Sequence, residues 1–158
     1  MFHIEKNVIQ PTIQEQVVKK TLAIGFFLFI CVLIYLANTQ TQNPVAPLVY
    51  AIPYGDKLGH FILYGVLALL VNFATGFTHF RSLRFPSLSI YLQLGSIVVL
   101  SFALAEELSQ AYFPLRTLDA FDALFDVLGV GLFTWISAAI ADLKKRQLIG
   151  GRNNDSIN

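Results

Sequence analysis

Charge is scarce in this 158-residue chain: Asp, Glu, Lys and Arg make up 13% of it, against about 25% in a typical soluble domain. What charge there is lies in clumps. Residues 21–55, 58–80, 85–105 and 127–141 carry none. A membrane-spanning helix needs about 20 mostly apolar residues, so these gaps exclude the soluble globular, disordered, collagen-like and disulfide-scaffold classes. Cys31 is the only cysteine, which rules out an intrachain disulfide. A net charge of +1 gives no pull toward nucleic acid. The phosphate-binding G-x-x-x-x-G-K-[ST] loop and the dinucleotide glycine fingerprint are missing, so no nucleotide is implied. H-E-x-x-H and G-x-S-x-G are missing too, which removes the zinc-protease and serine-hydrolase readings.

What is present is hydropathy in long blocks, with apolar residues at 55%. It predicts an all-α integral membrane bundle of four transmembrane helices, with spans near 21–38, 58–76, 88–107 and 121–142 inside a membrane domain of 21–143. The first apolar run, Leu22–Ala37, is 16 residues long. A signal-peptide core is usually about 7–15 residues, which favours an uncleaved span over a cleaved signal. Residues 1–20 read as a polar cytoplasmic segment, with a short interfacial helix suggested by Ile4, Val8, Ile13, Val17 and Val18. Residues 39–55, with Pro44, Pro47 and Pro53, read as an extended connector, and 76–87 as a polar turn. The third span runs on as helix to Gln110 before Phe113-Pro114 breaks it. Residues 144–158, opening on Lys144-Lys145-Arg146, read as a basic cytoplasmic tail that frays from Gly150.

Four spans place both termini and the 76–87 turn on one side. That side holds nine of the eleven basic residues, and the other holds only Lys57 and Arg116. The basic-rich side is cytoplasmic, so the 39–57 and 111–120 connectors face outward.

The acids divide the other way. Asp56, Glu106, Glu107, Asp119, Asp122 and Asp126 all fall at outward helix ends. Asp56, His60 and Tyr64 are spaced by four and share a helix face. Glu107 and Gln110 are three apart, and Asp119, Asp122, Asp126 and Gly129 form one stripe. Asp126 is about 10 Å deeper than Asp119 at 1.5 Å per residue, beyond the reach of a helix cap. An ionisable group at that depth needs a partner, a cavity or water. Asp119 and Asp122 have a simpler reading as caps and dipole partners at a helix N-terminus. Glu106 reads as facing interfacial water, His60 equally as a packing residue, and Gly129 and Gly131 as close-packing positions. An oxygen-rich metal site from Glu107, Asp122 and Asp126 with His60 and an acid/base pair are both compatible with the spacing. No metal or other cofactor is assigned.

Two blocks among these residues resemble the VanZ-like family. Asp56-Lys57-Leu58-Gly59-His60-Phe61-Ile62-Leu63-Tyr64 looks like that family's D-K-x-x-H-F-x-x-Y. Glu107-Leu108-Ser109-Gln110, Phe113-Pro114-Leu115-Arg116, and then Asp122, Asp126 and Gly129 look like E-x-x-Q-x-x-F-P-x-R followed by D-x-x-x-N-x-x-G. The blocks cover about half the chain. Asp126 stands where the family has Asn. The resemblance implies a multi-pass protein of the bacterial cytoplasmic (inner) membrane, linked to the cell envelope. It also implies a tie to glycopeptide resistance of the teicoplanin type. It supplies no reaction.

The sequence therefore predicts an outward pocket of Asp56, Lys57, His60, Tyr64, Glu107, Gln110, Arg116, Asp119, Asp122 and Asp126. Its expected ligand is an envelope lipid, a lipid-linked precursor or an amphiphile. Arg116 is the natural anion contact, and His60, Glu107 and Asp122 are the candidates for catalysis. Two alternatives stand beside this reading: a scaffold subunit for an envelope enzyme, with a protein partner, and an acid/base- or metal-assisted hydrolase or transferase.

Overall fold

The structure, a computed structural model, describes residues 12–39, 46–77, 79–85 and 88–155. The expected N-terminal segment up to residue 11, the part of the connector with Pro44, Pro86 of the turn and the last residues of the tail lie outside the described residues. Helices carry the fold: α1 (Ile13–Thr39), the short α2 (Ala46–Tyr50), α3 (Gly55–Ala74), α4 (Leu94–Gln110) and α5 (Ala120–Asp155). A hairpin of β1 (His79–Phe85) and β2 (Leu88–Gln93) joins α3 to α4.

Three of these helices are long and apolar enough to cross a membrane: α1, α3 and the Ala120–Lys144 part of α5. The expected third span is shorter than foreseen, because Leu88–Gln93 is strand and not helix. The sequence there alternates (Leu88, Ile90 and Leu92 around Ser89 and Tyr91), a period of two that favours a strand over a helix of equal hydropathy. The remaining 17 residues of α4 make a rod of about 26 Å, somewhat under the roughly 30 Å hydrocarbon core. The tail also differs from expectation. Instead of fraying at Gly150, α5 stays helical to Asp155. At the other end of the chain, α1 begins at Ile13, so part of the expected polar segment is the first turns of that helix.

Helix ends follow local chemistry. At the end of α3, Gly76 takes φ 65°. The Gly76 N–H donates to the Phe73 carbonyl and the Phe77 N–H to the Asn72 carbonyl, the paired bonds of a Schellman stop. At the start of α5, Asp119 caps the helix through the Phe121 N–H (2.8 Å).

The central helix is α3, packed on α1, α4 and α5. It meets α5 closely, since a Cβ on Gly129 would collide with the Phe61 carbonyl, and one on Gly65 would lie 2.5 Å from the Phe133 ring. Gly131, expected to pack as well, faces open space. The interior holds three tiers. An apolar tier contains Leu67, Ala68, Val99, Ala103 and Val130. Toward the α3 N-terminus lies a tier of charged groups. Toward its C-terminus lies an uncharged polar tier of Asn72, Gln93, Ser96, Thr134 and Ser137. Many large apolar side chains of α1, α3, α4 and α5 are exposed while His60, Glu107, Asp122 and Asp126 are buried. That inversion of the soluble pattern suits a lipid surround.

Candidate functional site

The charged tier is assembled from three helix ends and the 111–119 loop. Lys57, in the first turn of α3, reaches across to the start of α5. Its Nζ donates to Asp119 Oδ2 at 2.8 Å and to Asp122 Oδ1 at 3.1 Å. Asp119 thus serves both as helix cap and as ion-pair partner. The Lys57 ammonium, aided by the Phe121 N–H, holds its carboxyl below the usual carboxylate range.

One turn deeper, His60 Nδ1 lies 3.1 Å from Asp126 Oδ1. An ionised carboxylate only accepts, so Nδ1–H is the donor to an ionised Asp126. Asp126 is fully buried, and its Oδ2 has no partner among the described residues. Another turn down α3, the Tyr64 hydroxyl donates to Glu106 Oε2 at 3.3 Å. The Gln110 amide donates to both Glu106 oxygens at 3.2 Å and to Glu107 Oε2 at 3.1 Å. The Asp119 N–H donates to Glu107 Oε1 at 2.8 Å, clasping the end of α4 to the start of α5. Arg116, carried by the loop after Pro114, sits 3.9 Å from Glu106 Oε1.

The structure therefore brings together Lys57, His60, Tyr64, Glu107, Gln110, Arg116, Asp119, Asp122 and Asp126. Asp56 is half-buried in the first turn of α3, close enough for its charge to act on His60, and makes no side-chain hydrogen bond among the described residues. Its place suits the helix dipole. The expectation for Glu106 is corrected. It is buried between Tyr64, Gln110 and Arg116 instead of facing water. Its four-residue spacing from Gln110 was a usable signal.

The uncharged tier was not foreseen at all. Asn72 Nδ2 donates to Ser96 Oγ (2.8 Å) and Ser137 Oγ (3.3 Å), and Ser137 Oγ donates to Gln93 Oε1 (2.8 Å). Its only trace in the sequence is a single polar residue at each of several points in apolar runs. Gly95 makes room for it, because a Cβ there would lie 2.5 Å from Asn72 Oδ1.

One ring nitrogen of His60 and one carboxylate oxygen from each of Glu106 and Glu107 lie within 4.8 Å of one another. These three could hold a metal ion. The metal set considered from spacing is thereby altered, because Asp122 is engaged by Lys57 and Asp126 stands behind His60. Apart from this tier, an apolar cavity of about 330 Å³ opens between Ala23 and Phe27 of α1, Leu67 and Val71 of α3, and Val99 and Phe102 of α4. Lys20 and Ala74 place it toward the other end of the bundle. No protein family, characterised protein or solved structure matches the chain.

Proposed function

We propose that the protein is a VanZ-like multi-pass membrane protein of the bacterial inner membrane, with four spans of which α4 is the third, and both termini cytoplasmic. Its charged tier then opens outward and binds the polar head of an envelope lipid, lipid-linked precursor or amphiphile. On this reading the protein acts in envelope biology or in tolerance of teicoplanin-type antibiotics.

The observation that carries the reading is Arg116. Its guanidinium is partly exposed at the rim of the tier, and its nearest carboxylate oxygen is 3.9 Å away, too far for a hydrogen bond. Among the described residues the side chain makes no hydrogen bond, so its donors remain for a ligand. The planar fork suits a phosphate or carboxylate. Lys57, by contrast, is spent on Asp119 and Asp122. The scaffold reading and the hydrolase or transferase reading lack a comparable observation.

The test is native mass spectrometry of the full chain released gently from membranes. A bound anionic amphiphile is expected. Replacing Arg116 with Gln should weaken its retention by about tenfold, the equivalent of roughly 1.4 kcal/mol. Equal retention by wild type and variant refutes the reading.

A further inference from the structure

Of three buried carboxylates in the charged tier, those of Glu106, Glu107 and Asp126, only Glu106 has a permanently charged base near it among the described residues, Arg116 at the rim. The other base of the tier is already divided between Asp119 and Asp122. Buried like charges in a low-dielectric site demand compensation. A dication would supply it while leaving His60 neutral.

We infer that His60, Glu106 and Glu107 bind one divalent transition-metal ion, zinc or a first-row neighbour. The donor set of one imidazole and two carboxylates fits such an ion better than calcium or magnesium, which take oxygen ligands. The independent observation is His60 itself. Only 9% of its surface is exposed. Nδ1 lies 3.1 Å from Asp126 Oδ1, while Nε2 keeps some access to solvent and makes no hydrogen bond among the described residues. A buried carboxylate behind one ring nitrogen is how metal-binding histidines are commonly oriented, with the other nitrogen's lone pair aimed at the ion. The carboxylates are steadied in the same way. Tyr64 and Gln110 donate to Glu106, and Gln110 and the Asp119 N–H donate to Glu107. Asp126 is then a positioning residue that sets the tautomer of His60, and the three protein ligands leave further coordination positions for water or a ligand group.

The inference is independent of the lipid reading and is tested without any lipid. The full chain, purified in mild detergent and stripped with a chelator, is titrated with cobalt(II), whose visible absorption reports its ligand field. One equivalent should bind and be displaced by zinc. His60→Gln and Glu107→Gln, which keep size and polarity, should each weaken binding at least tenfold. Asp126→Asn should weaken it by about 10–100-fold, as loss of an outer partner does. Ser137→Ala, in the uncharged tier, should leave it unchanged. The inference is overturned if folded wild type shows no saturable cobalt or zinc binding, or if folded His60→Gln and Glu107→Gln variants bind as tightly as wild type. Should those variants fail to fold, the wild-type titration alone decides. Loss of lipid retention in Arg116→Gln would not bear on this result, so the two proposals fail separately.

Discussion

Asp119 joins two tasks in one side chain: Oδ1 receives the Phe121 N–H and Oδ2 receives Lys57. Because both favour the ionised form, its folded pKa lies below the unfolded one. The contribution is therefore complete above the unfolded value of about 3.9 and is lost as pH falls through the folded value. Asp119→Asn keeps a good cap but removes the charge. Its melting temperature should fall below wild type at neutral pH, and the two should converge as acidification takes the pH below the lowered pKa of Asp119. A gap that persists or widens in acid would contradict this assignment. At this scale much of the site was legible. Spacings of three and four placed His60, Tyr64, Glu107 and Gln110 on inward faces, and depth singled out Asp126. Glu106 was only partly legible: its spacing of four from Gln110 was there to read, but its pairing with Tyr64 joins two helices whose packing the sequence does not specify.

Helix contacts are decided by where backbone approaches backbone. Gly129 lies against the Phe61 carbonyl and Gly131 faces open space, only two residues away on α5. Gly129→Ala should force α3 and α5 apart and cost about 1–3 kcal/mol, as overpacking does. Gly131→Ala should stabilise by about 0.5–1 kcal/mol, as removing a helix glycine does. Unfolding in mixed micelles measures both, and equal effects at the two positions would disprove the packing argument. Gly129 lies on the acidic stripe and was legible as a packing position; Gly131, two residues off that stripe, was expected to pack too and does not. The hairpin was missed for a related reason: hydropathy summed over 88–107 sees apolar content and is blind to the switch from period two to period 3.6 at Leu94.

For the whole molecule, charge asymmetry and internal arrangement agree. The Lys144 ammonium lies 5.9 Å from the centre of the Phe73 ring, so the end of α3 and the basic part of α5 share one end of the bundle. Lys57, Arg116 and the acids share the other. With Cys31 replaced by Ala, single cysteines at positions 56 and 116 should react with an impermeant maleimide from the same face of the membrane, and one at 144 only from the opposite face. Labelling of 56 and 116 from different faces would break the proposed topology and the outward site with it. The block pattern of the sequence was enough to foresee a membrane bundle. The two polar tiers needed the folded chain, because they are built from residues as far apart as Asn72 and Ser137.

Between those tiers stand Leu67, Ala68, Val99, Ala103 and Val130, with no polar side chain among them. Such a plug is a dielectric barrier, and among the described residues it leaves no relay by which a proton could hop from Asn72 to Glu106. The molecule should therefore be electrically tight: any proton gained or lost by the carboxylate cluster is exchanged with the solution on its own side.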